Sequence, residues 1–452
     1  MASPDERGSP HDPAGLRACP ASTDYPDLFA PGAQHSWYES YAIHHAAAPV
    51  VRYEGEGIIP GTDAYLLTKY EDVSRVVKDW GRFTPITSLS IAQLAKTDEP
   101  LEGTPSLGMM LRAMATLRPD QRTWRIHRQT LTDPWVGPGA KRHHDITLRH
   151  VDDLIDAWGD ATEVDFVAQF ARPLPQRVFA SVLGFEQEDI PRLAAWGDAL
   201  VMPFVHGEGP RHMLTDEQVA LKDDRLHGFT AFIAETVRNK VADPQDDMIS
   251  FLAHTVYEPL ARKLTAQEIE GVVHAMTIGA LETTPYGLSE QMVMMCRDPA
   301  LFRKVKADRA LVRPFIEEAL RLRSPTHGLS TRITTQDEVF QGVRVPANSL
   351  LHLRFAAANV DPDEFDNPCE FQIDRKAVTR HLAFSAGERV CPGAGLSRME
   401  MAAAWERLLD RLASVELGAD NRFDYQPGIM LGLRSLRIRV TAEQSAPAPA
   451  FT

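Results

Sequence analysis

Apolar residues along this chain return mostly at every third or fourth position, the repeat of helices that bury one face. A few short stretches depart from it. Residues 49–53 and 64–68 alternate as strands do, and KYEDVSRVVKDW then reads as a helix over 71–80. Residues 84–115 are rich in Met, Thr and Leu with weak periodicity, so they read as a long connection, either one wall of a pocket or a surface excursion. A helix opens near Arg118 in RPDQRTWRIHRQTL, and several amphipathic helices fill residues 146–241. Residues 201–213, with Pro203, two glycines and two histidines, interrupt them. GVVHAMTIGALETTPYGLSEQMVMM, from Gly271, is helical but damaged by small residues, hydroxyls and a proline. Residues 311–323 are strongly helical, 339–345 are strand-like, and 428–436 read as a last hairpin. The pattern predicts a mainly α fold with small β-sheets.

The chain has 452 residues, 44% of them apolar, with no internal repeat and no Ser/Gly linker, which favours one domain over 25–443. Residues 1–24 and 444–452 have little periodic hydrophobicity and are expected to be disordered. Forty-eight Lys and Arg against 62 Asp and Glu give a net charge of −14. That balance argues against nucleic acid or an anionic membrane as the main partner. Cys19, Cys296, Cys369 and Cys391 are scattered with no disulfide framework, no apolar run reaches membrane-spanning length, and no signal pattern opens the chain. A cytoplasmic monomer is expected.

The candidate chemistry centres on HLAFSAGERVCPGAGLSRME, residues 381–400. Gly387, Gly393, Gly395 and Pro392 surround Cys391 and let the backbone bend tightly against a flat object such as a cofactor plane. Leu396, Met399, Ala403 and Leu408 follow at roughly helical spacing, which sets the cysteine at a helix start, where thiolate is favoured. With no second Cys or His at zinc spacing, a single thiolate suits a haem iron better than tetrahedral zinc. A buried structural cysteine is the plainer alternative.

Phe384, Gly387, Arg389, Cys391 and Gly393 together resemble the haem-binding signature of the cytochrome P-450 (haem-thiolate monooxygenase) family, soluble bacterial type. Ser385 stands where the family usually has Gly, a departure expected to be absorbed by Ala386 and Gly387. The resemblance covers roughly residues 30–440, with its motifs in the family's order. It implies the cytochrome P-450 fold, with haem b held between an oxygen-activating helix and the cysteine loop and Cys391 as the iron ligand. The damaged helix resembles the oxygen-activating one: Glu282 and Thr283 match its acid–alcohol pair and are the candidate catalytic residues, since an alcohol fed by a carboxylate can relay protons. Gly279 and Ala280 stand in swapped order for its oxygen groove, beside Ile278. A kink without a catalytic role is the alternative; a capping box from Thr277 is excluded by its place inside the helix.

The resemblance further implies that Gln121, Arg125, Arg332 and Arg389 hold the haem propionates. A solvated basic helix face is the alternative for Arg122, Arg125 and Arg128, and His127, Arg128, Lys141 and Arg142 could form a docking patch for an acidic electron donor. Thr326, His327, Leu329, Met430 and Leu431, with Met202, Phe204, Val205 and His206 from the interrupted stretch, are the implied substrate contacts. His206 and His212 lack a third ligand for a metal. Glu318 and Arg321 match a buried structural pair, whose third partner is in doubt because Glu370 stands in the usual place; Arg375 is the substitute. The implied activity is insertion of one oxygen atom into a lipophilic small molecule by hydroxylation or epoxidation, the substrate being terpenoid, steroid, polyketide or fatty-acyl-like. Electrons would come ultimately from NAD(P)H through a ferredoxin and a ferredoxin reductase. Oxidative coupling on the same fold and a non-catalytic haem protein are the alternatives.

Overall fold

The computed structural model describes residues 19–88, 105–205, 207–208, 211–212, 214–328 and 331–443. Helices carry the frame, and the one that organises it is Ala266–Ala280. Thr265 starts it: its hydroxyl accepts the Glu268 N–H, and Glu268 reaches back to the Thr265 N–H, which satisfies two of the donors a helix start leaves open. The helix packs along Pro105–Leu117 and Asp216–Ala242. A second helix, Thr283–Arg297, continues it after a break.

The helix Pro105–Leu117 corrects the expectation of a loop over 84–115, and residues 89–104 lie outside the described residues. Leu111, Ala113, Met114 and Leu117 are buried against the large helical core, and Met110 and Ala115 pack on it too. A helix covered on several sides needs no polar stripe, so its period is invisible while its Ala, Leu and Met content still favours helix.

The five-stranded sheet runs Val50–Tyr53, Ala64–Leu67, Leu350–Leu353, Thr331–Thr334, Phe83–Pro85. Its one parallel pair sets Leu350 beside Ala64 and Leu353 beside Leu67; its other pairs are antiparallel. Both faces of the Ala64–Leu67 strand are buried, one in each of two apolar clusters. Residues 19–24, expected to be disordered, are partly tied to this sheet: the Pro20 carbonyl accepts the Arg52 N–H at 3.0 Å, and Ala21 bridges Arg52. A free edge strand takes any backbone partner within reach. Residues 1–18 and 444–452 lie outside the described residues.

A three-stranded sheet, Leu412–Leu417, Arg437–Ala442 and Glu163–Asp165, closes the far end, and Glu338–Phe340 pairs with Val343–Val345. The interruption expected over 201–213 starts late, because the helix Ile190–Val205 carries Pro203 within it; a short ladder, Gly207–Glu208 with Arg211–His212, follows. Among the described residues no helix is long and apolar enough to cross a membrane. The architecture is mainly α with small sheets.

Candidate active site

Cys391 lies immediately before the helix Ala394–Arg411, its N–H donating to the Phe384 carbonyl at 2.9 Å. Burial pushes its thiol up, against the Gly393 N–H, Arg128 and Arg398, which pull it down. The helix start is therefore present, but desolvation outweighs it until a cation meets the sulfur. The glycines divide their work. Gly387 holds φ +72° and needs to be Gly. Gly395 serves a protein neighbour rather than a flat cofactor: a Cβ there would lie 2.3 Å from the Gly137 carbonyl oxygen. Ser385 itself takes φ +61°, so its neighbours do not absorb the missing glycine.

Behind the loop, the helix Val312–Leu322 presents two carboxylates. Glu318 receives Arg321 at 2.8 and 2.8 Å, Arg375 at 2.9 and 3.1 Å, and the Gln372 N–H at 3.1 Å. Arg375 thus fills the place left by Glu370. Glu317 receives Arg398 at 2.6 and 2.9 Å and the His381 ring at 3.0 Å. Burial raises its carboxyl, but these donors win and hold it at about 2. The Arg398 guanidinium then lies 4.3 Å over the ring of Phe384, whose carbonyl holds Cys391.

Above the sulfur is a cavity of about 400 Å³, walled by Ile278, Gly279, Ala280, Thr283 and Thr326 and floored by Phe384, Cys391 and Gly393. Cations gather at its edge. Arg118 stacks on Trp124 at 3.9 Å, and Arg389 sits between Trp80 at 4.0 Å and Trp124 at 4.3 Å. Burial, and secondarily neighbouring guanidiniums, lowers Arg118 and Arg389 to about 9, and burial lowers Arg332 to about 10. None of the three meets a carboxylate among the described residues, and the Nε of each is buried without a partner. His127, also at the wall, has a buried Nε2 with no partner. Cations desolvated in this way, Arg332 buried and Arg118 and Arg389 partly so, call for an anion. A haem with two propionates over a cysteine sulfur fits that donor set.

Gln121 and Arg125 do not belong to it. Both side chains grip Glu388 on the outside of the loop, and the Arg125 side chain is 59% exposed. Arg118, Trp124 and Arg128 take the wall instead; Arg118 and Arg128 flank the short helix Gln121–His127, and Arg125 sits on its outer side. His327 also turns away. It is fully buried, bonded through Nδ1 to the Tyr41 hydroxyl at 2.5 Å, with its ring tilted against Trp37 at 4.3 Å between centroids. Met430 packs with Tyr286 and Ile429, and Leu431 joins the core under the five-stranded sheet, so neither reaches the cavity. Met202 is not on the cavity wall either. Leu329, His206 and the side chains of Phe204 and Val205 lie outside the described residues.

The break between the two central helices falls at Leu281 and Glu282. Pro285 has no N–H to offer four residues back. Two positions earlier, Thr283 donates its hydroxyl to the Gly279 carbonyl at 2.9 Å, at the cavity wall. Space for a Cβ at Gly279 is open. Glu282 points the other way, into a buried network: Oε1 accepts Arg172 at 3.0 Å and Oε2 accepts the Tyr286 hydroxyl. Arg172 also pairs with the half-exposed Asp198. Burial pushes the Glu282 carboxyl up to about 7, against Arg172 and Tyr286, which pull it down. Arg172, Asp198 and Tyr286 carry no local signal that would single them out in the sequence. Neither does Glu400, a carboxyl on the cavity wall that burial alone raises well above its usual range.

The Cytochrome P450 family model matches residues 104–441. The chain belongs to the cytochrome P450 family. It is a P450 monooxygenase, an enzyme class whose cofactor is haem. It is 29% identical to cytochrome P450 107B1 of Saccharopolyspora erythraea over 391 residues, 84% of this chain and 90% of that protein. It is 32% identical to the cyclomarin C epoxidase CymV of Salinispora arenicola over 63% of this chain and 70% of that one. A steroid C26-monooxygenase of Mycolicibacterium smegmatis is also 32% identical, over 62% and 67%. Among solved structures, P450BioI in complex with a hexadec-9Z-enoic acid-ligated acyl carrier protein superposes with a TM-score of 0.77 at 24% identity, covering 90% of this chain and 99% of that one. That last likeness concerns the fold.

Proposed function

We propose that this P450 inserts one oxygen atom from dioxygen into an apolar or amphiphilic small molecule, by hydroxylation or epoxidation, with electrons from a separate ferredoxin and its reductase. The observation that carries this is the back-to-back placement of Thr283 at the cavity and Glu282 in a network that opens toward the half-exposed Asp198. Such a pair can move protons inward without admitting bulk water.

Cys391 is the group that would hold the iron, and Arg118, Arg332 and Arg389 the groups that would hold the propionates. When bound, the haem supplies dioxygen activation, helped by electron donation from the thiolate. The protein's share is local. Arg398 and Phe384 back the sulfur, and the Phe384 carbonyl holds the loop backbone. Glu282 collects protons on the Asp198 side, and the Thr283 hydroxyl presents one at the cavity wall. Ile278, Gly279, Ala280 and Thr326 carry no charge, which suits a lipophilic substrate oriented by shape and few polar contacts. The relatives named as an epoxidase and a steroid monooxygenase fit that class.

The test is the visible spectrum of the dithionite-reduced protein under carbon monoxide, for wild type and Cys391→Ser. A Soret band far to the red of an imidazole-ligated haem, lost in the variant, is expected, followed by spin-state shifts with steroids, terpenoids or fatty acyl compounds. A band unchanged without Cys391 sinks the assignment of the thiolate; a correct band with no product that has gained an oxygen atom sinks the assigned reaction.

A further inference from the structure

Glu282 is surrounded by more than an acid–alcohol pair requires. Its Oε2 accepts the hydroxyl of Tyr286, one turn on in the same helix, and that hydroxyl in turn accepts the Gln426 side-chain amide from the segment between the bridged residues Tyr425 and Leu433. Gln426 is built in. Its N–H donates to the Gly432 carbonyl at 2.8 Å, and a Cβ on Gly432 would lie 2.5 Å from its Nε2, so only glycine leaves room for the amide. With an N–H occupying its oxygen, the Tyr286 hydroxyl has its hydrogen left for Glu282. Burial holds the phenol far above its ordinary range, so it stays a donor.

We propose that Tyr286, locked by Gln426, is a positioning residue that sets the proton affinity of Glu282 and thereby the pH range over which protons reach Thr283. This rests on the proton-supply reading of Glu282 given above. Among the described residues, the charged and titratable groups facing Glu282 are Arg172, which precedes the helix Pro173–Leu183, Asp198 on Ile190–Val205, and Tyr286 itself. Arg172 is shared, because Asp198 takes part of its charge. Among the described residues Tyr286 has no such competing acceptor, so it is the donor committed to one Glu282 oxygen. Arg172 sets that a carboxylate can exist here; Tyr286 tunes how easily it takes up a proton.

The haem-loaded enzyme provides the test. Infrared pH-difference spectra report protonated carboxyls, and the Glu282 band is the one missing in Glu282→Gln. Its wild-type midpoint is expected near pH 7. Tyr286→Phe removes a hydrogen bond to a charged group and should raise the midpoint by about one unit or more. Gln426→Leu should raise it by less, and it keeps the question decidable if Tyr286→Phe does not fold. The pH at which coupled product formation declines should move with the band in each variant. A midpoint unmoved in Tyr286→Phe, or in Gln426→Leu where only that variant folds, overturns the proposal. A band that moves while the pH profile of Glu282→Gln matches wild type keeps the positioning of Glu282 and overturns its role in proton supply.

Discussion

Two glutamates, each almost wholly buried and each beside an arginine, end in opposite states on the two sides of the cavity. Glu317, on the thiolate side, has a bidentate arginine and a histidine to itself and is held at about 2. Glu282, on the oxygen side, has one nitrogen of an arginine that also serves Asp198, plus one phenol, and rises to about 7. Burial acts on both; the number and ownership of the donors decides which sign survives. In the proposed function, the thiolate side holds a fixed charge and the oxygen side changes one.

The largest expected effect tests the fixed side. Glu318→Ala strands Arg321 and Arg375 in a dry site and should cost about 3–5 kcal/mol, read from urea unfolding; a loss under 1 kcal/mol would mean that the pair is dispensable to the fold. Next comes the sign of each carboxyl's pH dependence. Glu317 has a lowered folded value, so its contribution is present above about 4.5 and lost as pH falls toward 2, on the order of 3 kcal/mol. Glu317→Gln should remove that acid limb. Glu282 has a raised folded value, so its term favours folding below about 4.5 and is lost as pH rises toward 7. Glu282→Gln should flatten the neutral limb and leave the acid limb alone, and the same slope in both variants would erase the contrast.

A smaller effect is expected from Thr283→Ala, which removes the hydroxyl on the Gly279 carbonyl and should lower coupled product formation by about tenfold or more, with reduced cofactor still consumed. Unchanged coupling would detach the broken helix from proton traffic. The smallest is Ser385→Gly: relief of a left-handed backbone against added chain freedom should stabilise the cysteine loop by less than about 1 kcal/mol, read from the thermal midpoint.

Much of this was legible residue by residue where the information is local. The loop from Phe384 to Gly393 is one turn-rich segment beside its own ligand candidate, and the Glu318–Arg321 spacing on one helix face needs no distant chain. Legibility fails where a side chain has two directions available. Arg118 and Arg125 lie seven positions apart on one short segment, and only the packing of Trp124 against Arg118 and Arg389 turns the first inward and leaves the second on Glu388. His327 follows a turn that suits a pocket wall, yet Tyr41 and Trp37, nearly 300 positions earlier, supply its partners.

By itself, then, the sequence determined the helical class, the cysteine loop, the damaged helix with its acid and alcohol, and the family they resemble, because spacing along one element is set by backbone geometry. Only the tertiary structure decided which arginines meet no carboxylate among the described residues, that Arg375 completes the triad on Glu318, and that Glu282 leans on Tyr286 and Arg172 while Glu317 holds its charge. Those outcomes depend on desolvation and on donors brought from remote segments, and neither quantity exists until the chain has folded.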